Sequence, residues 1–469
     1  MKPHNLVEML SRTVKRAPDK TALMWKEDGK YQQMSYQKLW SMIRDFAFGL
    51  ERLGIHQGTK VAILAEHNPR WLISDFAVLS LGAVSVPIPP KLEDEQITQI
   101  LQHADVEAMI AKDSETLARV PELPGCVRHS ILMYGTAAGD MKALQFETVM
   151  QIGQSVGMED SDWAYPAIQS SDPATIVHTS GTTGDPKGVL LSHGNLLSSL
   201  DAAQHSVPCT SFDRFLSVFP SSGIFERMAG QMLPLYFGAA IAYAENEETV
   251  TENIREVRPT ILVGVPRSFE NIYRQIRSEM NGSRMKKYLF DLAAKLLNEY
   301  AQISSRGFNW PVPNHLLLKH ALSHVLVFSS IRERLGGHLR FMIAGGGALA
   351  PEIHRFFHTL GIPVVETYGL TECSSLVSSN RPDQVRPGTA GKPLPGTEIR
   401  LLSDGELLVK SPSVMLGYYK QPDLTAKTVI NGWLHTGDIA EIDENGHIRI
   451  IDRKKNVIAE PDAAAATSQ

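Results

Sequence analysis

Cysteine is scarce in this sequence: three in 469 residues, Cys126, Cys209 and Cys373. An odd and sparse set excludes a disulfide framework and reads as reduced thiols. Long apolar runs are also missing. The most apolar stretch, residues 71–90, is broken by Asp75, Gly82, Pro87, Pro89 and Pro90, too interrupted to span a bilayer. The start, Met1-Lys2-Pro3-His4-Asn5, lacks the apolar run and cleavage site of a signal peptide. A soluble, cytoplasmic protein is expected, with peripheral membrane contact and homodimerisation left open. There is no basic excess: 46 Lys and Arg stand against 51 Asp and Glu, a formal net charge of −5. That argues against a nucleic-acid partner. Hydrophobic residues at 43% and charged residues at 21% exclude disorder for most of the chain. The length suggests roughly three domain-sized units, or one large enzyme domain with subdomains.

What is present alternates between helical and strand patterns. Apolar residues recur at helical spacing from Tyr36 to Leu53, and Lys60-Val61-Ala62-Ile63-Leu64 then reads as a buried strand. Further helices are expected over 71–81 and 96–103, each followed by a short apolar strand, at 83–87 and 108–111. Such alternation implies a mostly parallel sheet covered on both faces. Residues 284–334 read as mainly helical. From Pro382 the texture changes to short strands with hairpin turns at Ser403-Asp404-Gly405 and Glu444-Asn445-Gly446, the pattern of a small β-barrel or sandwich. Residues 460–469 read as a disordered tail or an added remnant.

The strongest chemical signal is the run from Thr175 to Val189. An apolar strand enters Thr179-Ser180-Gly181-Thr182-Thr183-Gly184-Asp185-Pro186-Lys187-Gly188, and a second strand leaves it. Glycines let backbone N–H groups turn toward an anion, hydroxyls add donors, and Lys187 adds positive charge. The pattern is not the P-loop, in which Gly-Lys-Ser/Thr opens a helix. Residues 179–188 resemble the phosphate-binding signature of the adenylate-forming (AMP-binding) superfamily, and other blocks follow in that superfamily's order. Residues 219–227, Phe-Pro-Ser-Ser-Gly-Ile-Phe-Glu-Arg, resemble its acyl-pocket motif. Gly345-Gly346-Gly347-Ala348 and Glu366-Thr367-Tyr368-Gly369-Leu370-Thr371-Glu372 resemble its adenine and magnesium motifs. Residues 388–393 and 433–438 match two later blocks, and 452–458 resembles the hinge. The segment from Pro234 to Arg267 and the helical insert ending at Gly337 resemble the long-chain fatty acid–CoA ligase branch.

The resemblance implies an α/β fold of acyl-CoA synthetase type: two interleaved, mainly parallel subdomains over 1–381, a small β-barrel over 382–451, and a hinge remnant and tail over 452–469. It implies ATP, Mg²⁺ and CoA, with a fatty acid as the small-molecule partner. Thr179, Lys187, Thr371 and Glu372 would be catalytic, with Glu372 holding the metal. Ser180, Gly181, Thr182, Thr183 and Gly184 would cradle phosphate. Gly345, Gly346, Gly347, Glu366, Thr367, Tyr368 and Gly369 would surround the adenine, with Asp438 and Arg453 at the ribose. Ser222, Gly223, Ile224, Phe225, Gly264 and Val265 would line the acyl site. The rival readings are an acyl-AMP ligase that loads a carrier protein and a non-catalytic nucleotide- and lipid-binding fragment.

Two departures stand out. The acyl-pocket motif usually carries a His or an aromatic residue where this chain has Gly223, which implies an altered pocket. The resemblance also ends near Ile458, so the expectation is a large N-terminal domain without the family's small C-terminal lid. Three decoys are rejected. Gly153-Gln154-Ser155-Val156-Gly157 matches a nucleophile elbow, but helix-like residues precede it. Gly345-Gly346-Gly347-Ala348-Leu349-Ala350 fits a dinucleotide fingerprint, with Glu366 twenty residues after Gly346, but explains none of the other blocks. His320/His324 and His354/His358 have helical spacing without the Glu of a zinc hydrolase. Cys373, with no base placed near it by sequence, reads as a passive thiol.

Overall fold

The structure is a computed structural model, and it describes residues 2–139, 142–156, 166–179, 186–281 and 329–454. Three sheets organise them. The first has nine strands. Its central run, Val364–Tyr368, Phe341–Ala344, Ile261–Gly264, Arg214–Ser217, Ala240–Tyr243 and Thr21–Glu27, is parallel throughout. The second has eight strands, and from Pro173–Thr179 to Leu144–Gln145 it is also parallel. The third is antiparallel. Glu406–Lys410, Val429–Ile430 and Ile448–Arg453 all pair with the long strand Trp433–Ile442, and Glu398–Leu401 closes the far edge.

The chain interleaves the first two sheets. It begins in the first with residues 21–35, leaves to build the second over 60–192, and returns to the first from 214 onward. It then sends Gly417–Tyr418 back to the edge of the second, against Lys187–Ser192. Side-chain alternation along the strands fills separate cores. Leu23, Phe215, Ile241 and Ile343 belong to the largest apolar cluster. Their neighbours Met24, Leu216, Ala242 and Met342 belong to a second cluster. Ala62, Leu64, Val84 and Val86 of the second sheet belong to a third.

Two helices matter for the site. Pro69–Ser80 starts on an Asn68 cap that accepts the Trp71 N–H, with Pro69 at its first position, where a missing N–H costs nothing. All of its residues but Arg70 are buried, and it packs against strands of both parallel sheets. A helix apolar all round is a helix enclosed. Its one acid, Asp75, is therefore a conspicuous exception. Tyr36–Arg52 lies against Phe146–Gln154 at very close range. A Cβ at Gly153 would collide with the Asp45 carbonyl oxygen, and one at Gly49 with Val149. The glycine of the hydrolase-like decoy is thus a helix-packing residue, and Ser155 caps a helix, its hydroxyl donating to the Ile152 carbonyl at 2.6 Å.

Within the described residues the sequence-expected elements appear with small shifts of end: Tyr36–Arg52, Lys60–Leu64, Pro69–Ser80, Val84–Ile88, Asp94–His103 and Ala108–Ala111. Of the expected helical stretch 284–334, only Ser329–Arg334 is among them. The pair His320 and His324, and the tail, lie outside them.

Candidate active site in the crevice between the sheets

A cleft of ≈ 820 Å³ opens where the three sheets meet. The second sheet contributes Thr179 and Lys187, directly opposite each other at the open end of an antiparallel pair. Ser180, Gly181, Thr182, Thr183 and Gly184, which join these strands, lie outside the described residues. The first sheet contributes Thr367 from the carboxyl end of a strand, and Gly346, Gly369, Thr371 and Glu372 from segments that follow such ends. That is where open α/β sheets bind ligands. The third sheet contributes Glu406, His435, Gly437, Arg453 and Lys454.

Several side chains in and beside the cleft are held by one another. Tyr368 donates its hydroxyl to Asp438 Oδ2 at 2.6 Å, and Arg453 Nε reaches Asp438 Oδ1 at 2.7 Å. Asp438 and Arg453 are direct cross-strand partners. Burial pushes the Asp438 carboxyl above its ordinary range, against the opposing pull of Tyr368 and Arg453. Glu372 sits on a single 3₁₀ turn, Thr371–Cys373, and accepts the Tyr418 hydroxyl at 2.8 Å. Tyr418 comes from the short strand that joins the second sheet, so this bond ties the first sheet to the second. Cys373 is fully buried and its thiol is pushed far up by desolvation, which makes it inert.

Of the other sequence-predicted residues, Ile224 and Phe225 are on the cleft wall and the rest lie around it. Gly264 pairs with Ala344 and its carbonyl accepts the Gly345 N–H, so Gly264, Val265, Gly345 and Gly347 form adjoining strand ends. The Phe225 ring occupies the space a side chain at Gly345 would need. Ile224 and Phe225 face the cleft, while Ser222 is buried. Glu366 is buried, and its two oxygens accept the Leu349 and Gly388 N–H groups at 3.3 and 3.2 Å. The acid of the dinucleotide-like fingerprint is therefore spent on backbone. His354 donates its Nε2–H to the Val364 carbonyl at 3.1 Å, a packed histidine.

The acyl-pocket motif runs into a π-helix, Glu226–Met232, a geometry that recurs at functional sites. Two ionisable side chains are buried at its start. Arg227 makes a two-pronged ion pair with Asp75, at 2.7 and 3.0 Å, and donates to Thr175 at 2.8 Å. Glu226 accepts from Ser217 at 2.6 Å, and burial pushes its carboxyl from the ordinary 4.5 up to about 8. The folded protein thus keeps a proton that the unfolded chain has released between those two values. The contribution of Glu226 to stability is greatest below pH 4.5 and falls across the window as pH rises, by at most about 1.4 kcal/mol per pH unit. Glu226→Gln is expected to raise the melting temperature at pH 8 and leave it nearly unchanged at pH 4.5. Equal shifts at both pH values would contradict a protonated Glu226.

A family model described as AMP-binding enzyme matches residues 10–419. The chain belongs to that family. Among curated AMP-binding relatives, the long-chain-fatty-acid–CoA ligase FadD15 of Mycobacterium bovis is 31% identical over 458 residues, covering 97% of this chain and 75% of that protein. The peroxisomal long chain acyl-CoA synthetase 6 of Arabidopsis thaliana is 32% identical over 460 residues, covering 92% and 63%. Among solved structures, the anthranilate CoA ligase AuaEII in complex with anthranoyl-AMP matches with a TM-score of 0.75 at 20% identity, covering 97% of this chain and 78% of that one. The N-terminal domain of FACL13 from Mycobacterium tuberculosis matches at 0.72 and 21% identity, covering 96% and all of that chain. These structures share the fold: large mixed α/β domains with parallel sheets and a curled antiparallel sheet. No helix among the described residues is long and apolar enough to cross a membrane.

Sequence reasoning missed Tyr418, Glu406, and the Asp75–Arg227 pair. Asp75 had a visible signal, a lone acid in an otherwise apolar helix. Tyr418 and Glu406 had none, because their partners are far away in the chain.

Proposed function

We propose that this AMP-binding enzyme activates a long-chain fatty acid with ATP and passes the acyl group to CoA. The observation that carries the reading is the convergence on one cleft of Lys187 and Thr179 from one sheet, Thr371 and Glu372 from another, and the Asp438–Arg453 pair beside them from the third. The ligase relatives support the choice of acid and acceptor.

A carboxylate oxygen of the acid attacks the α-phosphorus of ATP. The bond from that phosphorus to the bridging oxygen breaks, and pyrophosphate leaves with the electron pair. The CoA thiol then gives up its proton to solvent as its sulfur bonds to the acyl carbon, and AMP departs with the electron pair of the broken C–O bond. Two anions meet in the first step, so fixed positive charge and donors are needed where they meet. Lys187 and Thr179 neutralise and orient the pyrophosphate portion, and Thr371 donates to phosphate. Asp438 accepts from the ribose hydroxyls. Tyr368 holds the Asp438 carboxylate through its hydroxyl and offers its ring to the adenine, beside the glycines 345–347. The donor set at Glu372 fits Mg²⁺. Tyr418 engages only one of its oxygens, and no group of three or more acidic, His or Cys side chains that could hold a metal is present among the described residues. A hard cation would be held by this carboxylate together with phosphate oxygens. When bound it would draw charge from those oxygens.

Behind Phe225 lies a small apolar cavity of ≈ 30 Å³, walled by Leu200, Met228, Leu233, Ile343 and Leu376. On this reading the alkyl chain would begin here. Gly223 stands near this region with room to spare, since a Cβ there would meet nothing closer than the Pro220 carbonyl oxygen at 3.7 Å. Gly223→His is expected to fold normally and shift chain-length preference by about tenfold in kcat/KM across an acid panel. An unchanged profile would separate Gly223 from acid selection. The primary test is ATP–pyrophosphate exchange with saturated acids of graded length, followed by addition of CoA. Acid-dependent exchange and thioester formation support the reading. Nucleotide binding without exchange would make this a binding protein, and transfer to a carrier protein but not to CoA would change the acceptor.

A further inference from the structure

The strand Trp433–Ile442 does not pair evenly with Glu406–Lys410. Glu406 faces Ile439 and Leu408 faces His435, so a step of two residues on one strand meets a step of four on the other. This bulge swings Asp438 toward Tyr368 and Arg453, with Gly437 at φ +70°, a left-handed conformation that suits glycine. A bulge takes backbone N–H groups off the ladder, and those groups need other acceptors. The Asp438 N–H donates to its neighbour Thr436 Oγ1 at 3.1 Å, and the Gly437 N–H donates to Glu406 Oε1 at 3.1 Å. The other oxygen of Glu406 accepts from Lys454 Nζ at 2.6 Å. Lys454 directly follows Arg453 and is also held by Asp404 at 2.8 Å. His435 Nδ1 lies 3.7 Å from Glu406 Oε1. Glu406 itself is only 4% exposed.

One buried carboxylate thus grips the backbone that presents Asp438 and, through Lys454, the strand end that presents Arg453. We propose that Glu406 is a positioning residue for ribose recognition, setting Asp438 and Arg453 at one spacing without touching the nucleotide sugar. The proposal rests on the reading of the cleft as an ATP site with Asp438 at the ribose.

The test compares ATP with 2′,3′-dideoxy-ATP, titrated calorimetrically into the parent protein, Glu406→Gln and Lys454→Met. The parent is expected to prefer ATP. Both variants are expected to lose about tenfold of that preference, read as the ratio of the two affinities, so that any uniform change in nucleotide binding cancels. A purely structural role would weaken both nucleotides together and leave the ratio intact. Should Glu406→Gln fold poorly, Lys454→Met still decides, because the Lys454 side chain is 35% exposed and its loss leaves Gly437 capped. If the parent discriminates and the variants discriminate equally, Glu406 has no positioning role while the ribose assignment stands. If the parent itself binds both nucleotides equally, the ribose assignment fails and this proposal fails with it.

Discussion

Lys187→Ala is expected to lower acid-dependent ATP–pyrophosphate exchange by about 10²–10³-fold, with little change in thermal stability. Lys187 stands at the end of its strand, opposite Thr179, on the wall of the cleft. Its removal opens no core cavity, so folding has little reason to suffer. Its charge is another matter. The reaction brings a carboxylate to a polyphosphate, and an ammonium group on the wall of a cleft acts with less screening than one on an open surface. Lys187→Arg is expected to recover only part of the rate, since a planar guanidinium does not reproduce a compact point charge. Exchange by Lys187→Ala within about threefold of the parent would remove Lys187 from the phosphate site.

The largest stability effect is expected at Arg227. Its side chain is 1% exposed and that of its partner, Asp75, is 0% exposed. Arg227→Met should lower stability by about 3–5 kcal/mol, because it strands the Asp75 carboxylate in the interior and leaves Thr175 without its donor. The pair itself is a weaker stabiliser than that loss suggests, since burying both ions costs nearly what their attraction returns. The double replacement Arg227→Met, Asp75→Leu is therefore expected to regain much of the stability, read as the midpoint of urea unfolding. If the double variant is no more stable than the single one, the stranded charge is not the cause. Position gives the pair a further consequence. Asp75 lies on the helix enclosed between the two parallel sheets, and Arg227 lies on the π-helix that follows Phe225. The double variant can then be stable yet slow, which would show that the pair aligns the acyl-pocket segment.

The short-range features were largely legible. Helices such as Tyr36–Arg52 and strands such as Lys60–Leu64 follow from periodicity and caps, which are properties of neighbouring residues. The ordered motifs marked Lys187, Glu372, Asp438 and Arg453, and the structure gathers the first, second and fourth on one cleft with the third in contact with Arg453. The π-helix was not legible, since nothing in Glu226–Met232 distinguishes it locally from an ordinary α-helix. Asp438 could be read as a turn residue after Gly437, yet it sits within a ten-residue strand at a bulge. A bulge is a property of two strands, and its partner is some thirty residues away.

By itself, then, the sequence determined the family, the alternation of helix and strand, and which chemical groups are available. Those depend on composition and local spacing, which a linear reading preserves. Only the tertiary structure decided which of those groups reaches the cleft. Glu366 and Glu372 stand six residues apart and are both carboxylates, yet one is consumed by the backbone N–H groups of Leu349 and Gly388 while the other faces the cleft. Burial, the approach of distant strands and the direction of each side chain separate them, and these exist only once the interleaved sheets have closed.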